Sequence, residues 1–123
     1  MTIIYHITQR TAWDAAQPAG EYQAESLVTQ GFIHMSDVGQ LLHVANAIYT
    51  GQSGLVILVV DIARVHVEIR YEAPDTSIAA EHTTGERFPH VYGALNLDAV
   101  MTVVDFPPSA DGSFKLPAGL AML

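Results

Sequence analysis

The chain has 123 residues, half of them hydrophobic and 15% charged, a balance that suits one packed domain over 1–123 and argues against two domains or intrinsic disorder. Thirteen acidic residues against five basic ones give a formal charge of -8, and such a surface repels nucleic-acid phosphates and anionic membranes. There is no cysteine, which excludes thiolate metal sites, dithiol redox chemistry and a disulfide framework.

The opening stretch MTIIYHITQR has neither the basic region nor the long apolar run of a signal peptide. The longest apolar run, residues 55–60, is too short to span a bilayer. The expectation is a soluble, cytoplasmic protein.

In residues 2–8, Ile3, Tyr5 and Ile7 alternate with Thr2, Ile4 and His6. Both sides carry apolar residues, so this is a strand covered on both faces. A short helix follows, capped by Thr11, carrying Trp13, Ala15 and Ala16, and ended by Pro18 and Gly20. Residues 22–30 show no clear period beyond a helical turn at 25–28. Residues 32–35 read as a short strand with Phe32 and His34 on one face and Ile33 and Met35 on the other.

Val38, Leu41, Leu42, Ala45, Ile48 and Tyr49 recur at helical spacing, giving the main helix. Asp37 and Gln40 form a capping box at its start, and Gly51 follows its end. Residues 55–60 are a continuous, β-branched run that predicts a central strand buried on both faces. Val65, Val67, Ile69 and Tyr71 alternate with His66, Glu68, Arg70 and Glu72, which predicts a strand with one wet face, in a hairpin with the preceding one. Residues 73–87 are polar and read as a surface loop that can act as a lid. A strand begins at Val91 and Tyr92, and a last core strand spans 99–106 before Pro107-Pro108. The fold class is α+β, with compact, mostly antiparallel sheets and one main helix.

Two stretches are built alike: GFIHMS at 31–36 and FPHVYG at 88–93 each place a histidine two residues after a phenylalanine. A buried histidine needs partners for its ring nitrogens, and it is the side chain most easily tuned to exchange protons near neutral pH. His34 and His90 are therefore candidate acid, base or donor groups in one pocket. Glu72, at the polar end of its strand, is placed to orient a histidine or a ribose hydroxyl. Ser36 precedes the main helix, whose free N–H groups suit an anion or a polarised carbonyl. Gln40 and Asn46 aim amides from that helix, and Tyr92 shares a face with His90. His6 either lines the same cleft or is a hydrogen-bonded core residue. The plainer alternative for His34 and His90 is that each braces its own turn. No Gly-rich phosphate loop, paired metal motif or nucleophile elbow is present, so no metal is expected.

Taken together, IIYHIT with Tyr5, AWDAA with Trp13, GEY with Gly20 and Tyr22, ESL with Ser26-Leu27, GFIHMS, Gln40, Ala45-Asn46, LVILVVDI, RYE with Glu72, and FPHVYG resemble a bacterial and plant family known as domain-of-unknown-function family 952. The resemblance runs over nearly the whole chain. It implies a compact domain akin to the ADP-ribosyltransferase fold, whose enzymes hold NAD between two small sheets and transfer its ADP-ribose. In one branch a histidine stands on the first strand, with a tyrosine and a late glutamate, and His6 matches the histidine. The fold also hosts a tRNA phosphotransferase that relies on several arginines; here there are only Arg10, Arg64, Arg70 and Arg87. Two functions follow as expectations. One is an ADP-ribosyltransferase-like enzyme acting on NAD or another ribosylated small molecule. The other is a non-catalytic small-ligand-binding or regulatory domain with the same pocket.

Overall fold

The structure is a computed structural model that describes residues 2–73 and 86–121. In chain order it contains β1 (Ile3–Gln9), α1 (Arg10–Ala19), β2 (Glu21–Tyr22), α2 (Glu25–Thr29), β3 (Ile33–His34), α3 (Val38–Ile48) and β4 (Leu55–Asp61). There follow a 3-10 turn at Ile62–Arg64, β5 (Glu68–Glu72), β6 (Phe88–Tyr92), β7 (Leu95–Asn96), a second 3-10 turn at Leu97–Ala99, β8 (Val100–Asp105) and α4 (Ala118–Ala121). The strands pair antiparallel in three sheets, ordered β1-β4-β8, β3-β6-β5 and β2-β7. The α+β class with mostly antiparallel sheets and few helices is thus present.

β4 is the spine. All seven of its residues are buried, and its two faces serve two cores. Val56, Leu58 and Val60 pack with Ile4, Ile33, Met35, Val91 and Leu95 on one side. Leu55, Ile57 and Val59 pack with Tyr5, Ile7, Phe106 and the Leu41–Ala45 face of α3 on the other. Each fully buried aliphatic side chain contributes roughly 1.5–3 kcal/mol against exposure, which is why a run without polar alternation settles between two layers.

The hairpin expected between β4 and the next strand does not form. Asp61 Oδ1 accepts the Ala63 N–H at 3.0 Å, and the 3-10 turn redirects the chain. β5 pairs instead with β6, Ile69 opposite Val91, while β4 lies between β1 and β8. Pro18 does not stop α1, which runs through it to Ala19; Gly20, at φ 79, takes the left-handed position that closes the helix. The predicted lid at 73–87 lies largely outside the described residues.

Two features set up the site. β1 is an edge strand of its sheet, and its free side meets the end of β3. Tyr5 N–H donates to Ser36 carbonyl and Ser36 N–H to Tyr5 carbonyl, both at 2.8 Å. That single bridge stitches the first sheet to the third. Side chains alternate along β1, so His6 and Thr8 share the side of Ile4, facing β2 and β3 rather than α3. Among the described residues no helix is long and apolar enough to cross a membrane.

Candidate functional site

Beside the β1 edge lies a cleft of about 310 Å³. His6 and Thr8 come to it from β1, Tyr22 from β2, His34 and Ser36 from the β3 segment, and Tyr49 from just beyond α3. Tyr22 is held in place by the close of α1 at Gly20 and by pairing opposite Leu95. Its ring meets His6 edge-on, with centroids 5.3 Å apart.

His6 is satisfied on both nitrogens. Nδ1 lies 2.6 Å from the His34 carbonyl, and Nε2 lies 2.8 Å from the Tyr22 hydroxyl. A carbonyl only accepts, so Nδ1 carries the proton. Burial pushes the His6 pKa down to about 4, the His34 carbonyl bond working against that shift and the His34 ring adding slightly to it. The ring is therefore neutral at physiological pH. Tyr22 is pushed up to about 12, chiefly by burial and against the hydrogen bond with Thr8. Its hydroxyl lies 2.9 Å from Thr8 Oγ1. Burial also raises the Tyr49 phenol. The cleft wall along these residues is thus polar but uncharged.

A second cluster sits on the neighbouring sheet. His34 and His90 are directly opposed across β3 and β6, and their rings meet edge-on at 5.5 Å between centroids. Phe32 stacks on His90 at 4.0 Å and meets His34 at 4.9 Å. His90 Nδ1 lies 3.0 Å from Glu72 Oε1, which also accepts a hydrogen bond from the Tyr92 hydroxyl. The Arg70 guanidinium lies over the Tyr92 ring at 4.4 Å. Tyr92 and then His90 hold the Glu72 carboxyl below its usual range. His90 is 2% exposed, and its Nε2 finds no hydrogen-bond partner among the described residues.

The candidates named from sequence are therefore distributed over three places. His6, His34 and Ser36 line the cleft. His90, Glu72 and Tyr92 form the second cluster, joined to the cleft through His34, whose carbonyl holds His6 and whose ring meets His90. Gln40 and Asn46 lie elsewhere, with their amides engaged by main chain. Gln40 Oε1 accepts the Asp37 N–H at 2.9 Å and its Nε2 donates to the Arg87 carbonyl at 2.7 Å. Asn46 Oδ1 accepts the Phe114 N–H at 2.8 Å. Thr8 and Tyr22 are cleft residues that the sequence did not mark as such, Tyr22 standing out only as part of the family resemblance. Thr8 was signalled by its position two residues after His6 on the same face; Tyr22 sits in a stretch whose period says nothing. Among the described residues no group of three His, Cys, Asp or Glu is placed to hold a metal.

A family model described as a protein of unknown function, DUF952, matches residues 7–103. Among solved structures, the crystal structure of protein CC0527 from Caulobacter crescentus is 33% identical and covers 98% of this chain and 99% of its own, with a TM-score of 0.83. A double mutant of that protein superposes at 0.82. The solution structure of the same protein covers all of both chains at 0.77. No curated protein matches the chain.

Proposed function

The chain belongs to the DUF952 family, and we propose that it binds a small, uncharged polar molecule in the cleft beside β1. One observation carries this. Among the described residues the lining offers hydroxyls, amides, the neutral imidazole of His6 and the ring of His34, with Glu25 and no lysine or arginine. A phosphate or carboxylate entering it meets no lysine or arginine, and the whole chain opposes it with a charge of -8. A volume near 310 Å³ sits at the small end of ligand pockets, the size of a single heterocycle or a nucleoside fragment.

The second reading is an ADP-ribosyltransferase-like enzyme acting on NAD or another ribosylated molecule. It is favoured by His6 on the first strand, beside a cleft where two sheets meet. In that reading His34 and His90 act as acid, base or donors, Glu72 orients a histidine or a ribose hydroxyl, and Ser36, Asn46 and Tyr92 bind. Two features make binding without turnover the preferred function. His90 is almost wholly buried, and His6 is held neutral well below the range useful to a general base.

A thermal-shift and NMR titration with nicotinamide, adenosine, NAD and ADP-ribose separates the readings. Stabilisation by the neutral compounds, with shifts centred on His6 and Thr8, supports the binding function. Tightest binding by NAD with release of nicotinamide supports the enzyme. No response to any of the four overturns both.

A further inference from the structure

The wall of the cleft has a direction built into it. His34 contributes a main-chain carbonyl, which has no proton to give, so His6 Nδ1 must donate to it across 2.6 Å. Among the described residues no carboxylate is hydrogen-bonded to His6, and the residue is 7% exposed. A second ring proton would leave an uncompensated buried cation. Nε2 is thus a lone pair, and the Tyr22 hydroxyl 2.8 Å away must donate to it. A phenol has one proton. With that proton fixed on His6, the contact between Tyr22 and Thr8 at 2.9 Å closes only if Thr8 donates to the phenol oxygen. The proton order is then set from end to end: Thr8 to Tyr22, Tyr22 to His6, His6 to the His34 carbonyl.

Thr8 stands at the donating end of this relay and lines the cleft with its hydroxyl proton already engaged. We propose that Thr8 Oγ1 is a fixed hydrogen-bond acceptor, held in that role by His6 and Tyr22, so that the cleft selects molecules presenting an N–H or O–H donor at that point. This rests on the reading that small uncharged molecules bind there, and it narrows the class to primary carboxamides, amino-heterocycles and alcohols. A free threonine hydroxyl discriminates poorly, because it rotates to suit either partner. One locked by a relay does not, and an acceptor placed against it leaves two lone pairs face to face. Tyr22 and His6 act as positioning residues, since neither has to touch the ligand.

Two measurements test this, one without any ligand. Long-range proton–nitrogen NMR of the His6 ring should show the Nδ1–H tautomer, unprotonated at Nε2 from pH 8 down to pH 6. An Nε2–H tautomer, or a cationic ring at pH 6, overturns the relay. Nicotinamide and methyl nicotinate, alike in ring and size but differing in a donor group, are then titrated against the wild type and three variants. The amide should be preferred by about tenfold, the worth of one net hydrogen bond. Thr8→Val should abolish the preference and Thr8→Ser should keep it. Tyr22→Phe frees the threonine proton and should bring the two probes close to equal affinity. Binding without preference, or preference surviving in Thr8→Val, overturns the selectivity alone. Binding of neither probe overturns the selectivity, even where the tautomer is as expected, and silence of adenosine, NAD and ADP-ribose as well overturns the small-molecule reading with it.

Discussion

His34 and His90 stand directly opposite each other on β3 and β6 with their rings edge-on, yet the two side chains are embedded differently. His90 is stacked on Phe32 and tied to Glu72, whereas His34 is half-buried and reaches the cleft. Removing the His90 ring therefore opens a hole in the centre of the third sheet. His90→Ala should lose about 2–4 kcal/mol of stability by urea denaturation. His34→Ala should leave the His6 hydrogen bond standing, because that bond is to the main-chain carbonyl. An NMR titration of His6 in this variant should still find its pKa well below the ordinary histidine value. A return to that value would mean that the His34 ring, rather than burial, keeps His6 neutral.

The elements that could be read from the sequence are those whose burial pattern is their own. α3 shows its face through Leu41 and Ala45, both fully buried, and β4 shows its double burial through an unbroken apolar run. Pairing is different. Alternation in β5 says which residues are wet but not which strand lies alongside, so its pairing with β6 had no local signal. Pro89 hid the start of β6, since a proline argues against the interior of a sheet. The carbonyl of Pro89 still accepts the Met35 N–H at 3.0 Å. The meeting of His34 with His90 was legible as a repeated Phe-x-His pattern. The relay was not, because it depends on bringing β1 to β2 across 14 residues, and no period in residues 22–30 marks Tyr22 as buried.

The depressed pKa of His6 makes stability fall with acid before the carboxylates titrate. Above the unfolded value of 6.5 both states are neutral and the residue contributes no slope. Between 6.5 and the folded value of about 4, the unfolded chain takes up a proton that the folded one refuses. Stability drops through that window and levels off below it. The full loss is on the order of 3 kcal/mol, with about 2 kcal/mol gone by pH 5. The lowered carboxyls of Glu68 and Glu72 act from the lower end of this range downward, and those of Asp98 and Asp111 below it. Urea denaturation at pH 7.5, 6 and 5 should show the slope in the wild type and a shallower one in His6→Asn. Equal slopes would show that His6 is not held neutral.

Gly93 packs where a side chain does not fit. It adopts φ 156, and a Cβ built on it would lie 2.7 Å from Val67 Cγ1. Gly93→Ala should cost about 1–3 kcal/mol through this clash and the backbone conformation together. Trimming the neighbour in Gly93→Ala/Val67→Ala should recover part of that loss relative to the sum of the single changes. Strict additivity in a double-mutant cycle would place the cost entirely in the backbone.

Gln40 joins the start of α3 to the strand that carries His90. Its oxygen caps Asp37 and its nitrogen holds the Arg87 carbonyl, one residue before β6 begins. The side chain is buried, so neither bond is readily replaced by water. Gln40→Ala should lose about 1–3 kcal/mol. Gln40→Glu is the sharper probe. At neutral pH it keeps the cap but sets a carboxylate oxygen against the Arg87 carbonyl, and it should be less stable than the alanine variant. Repulsion and burial both raise the carboxyl pKa of this variant. Protonation restores a donor, so its deficit relative to wild type should shrink as pH falls from 7 to 5. A deficit that stays constant over that range would show that the Arg87 contact contributes nothing.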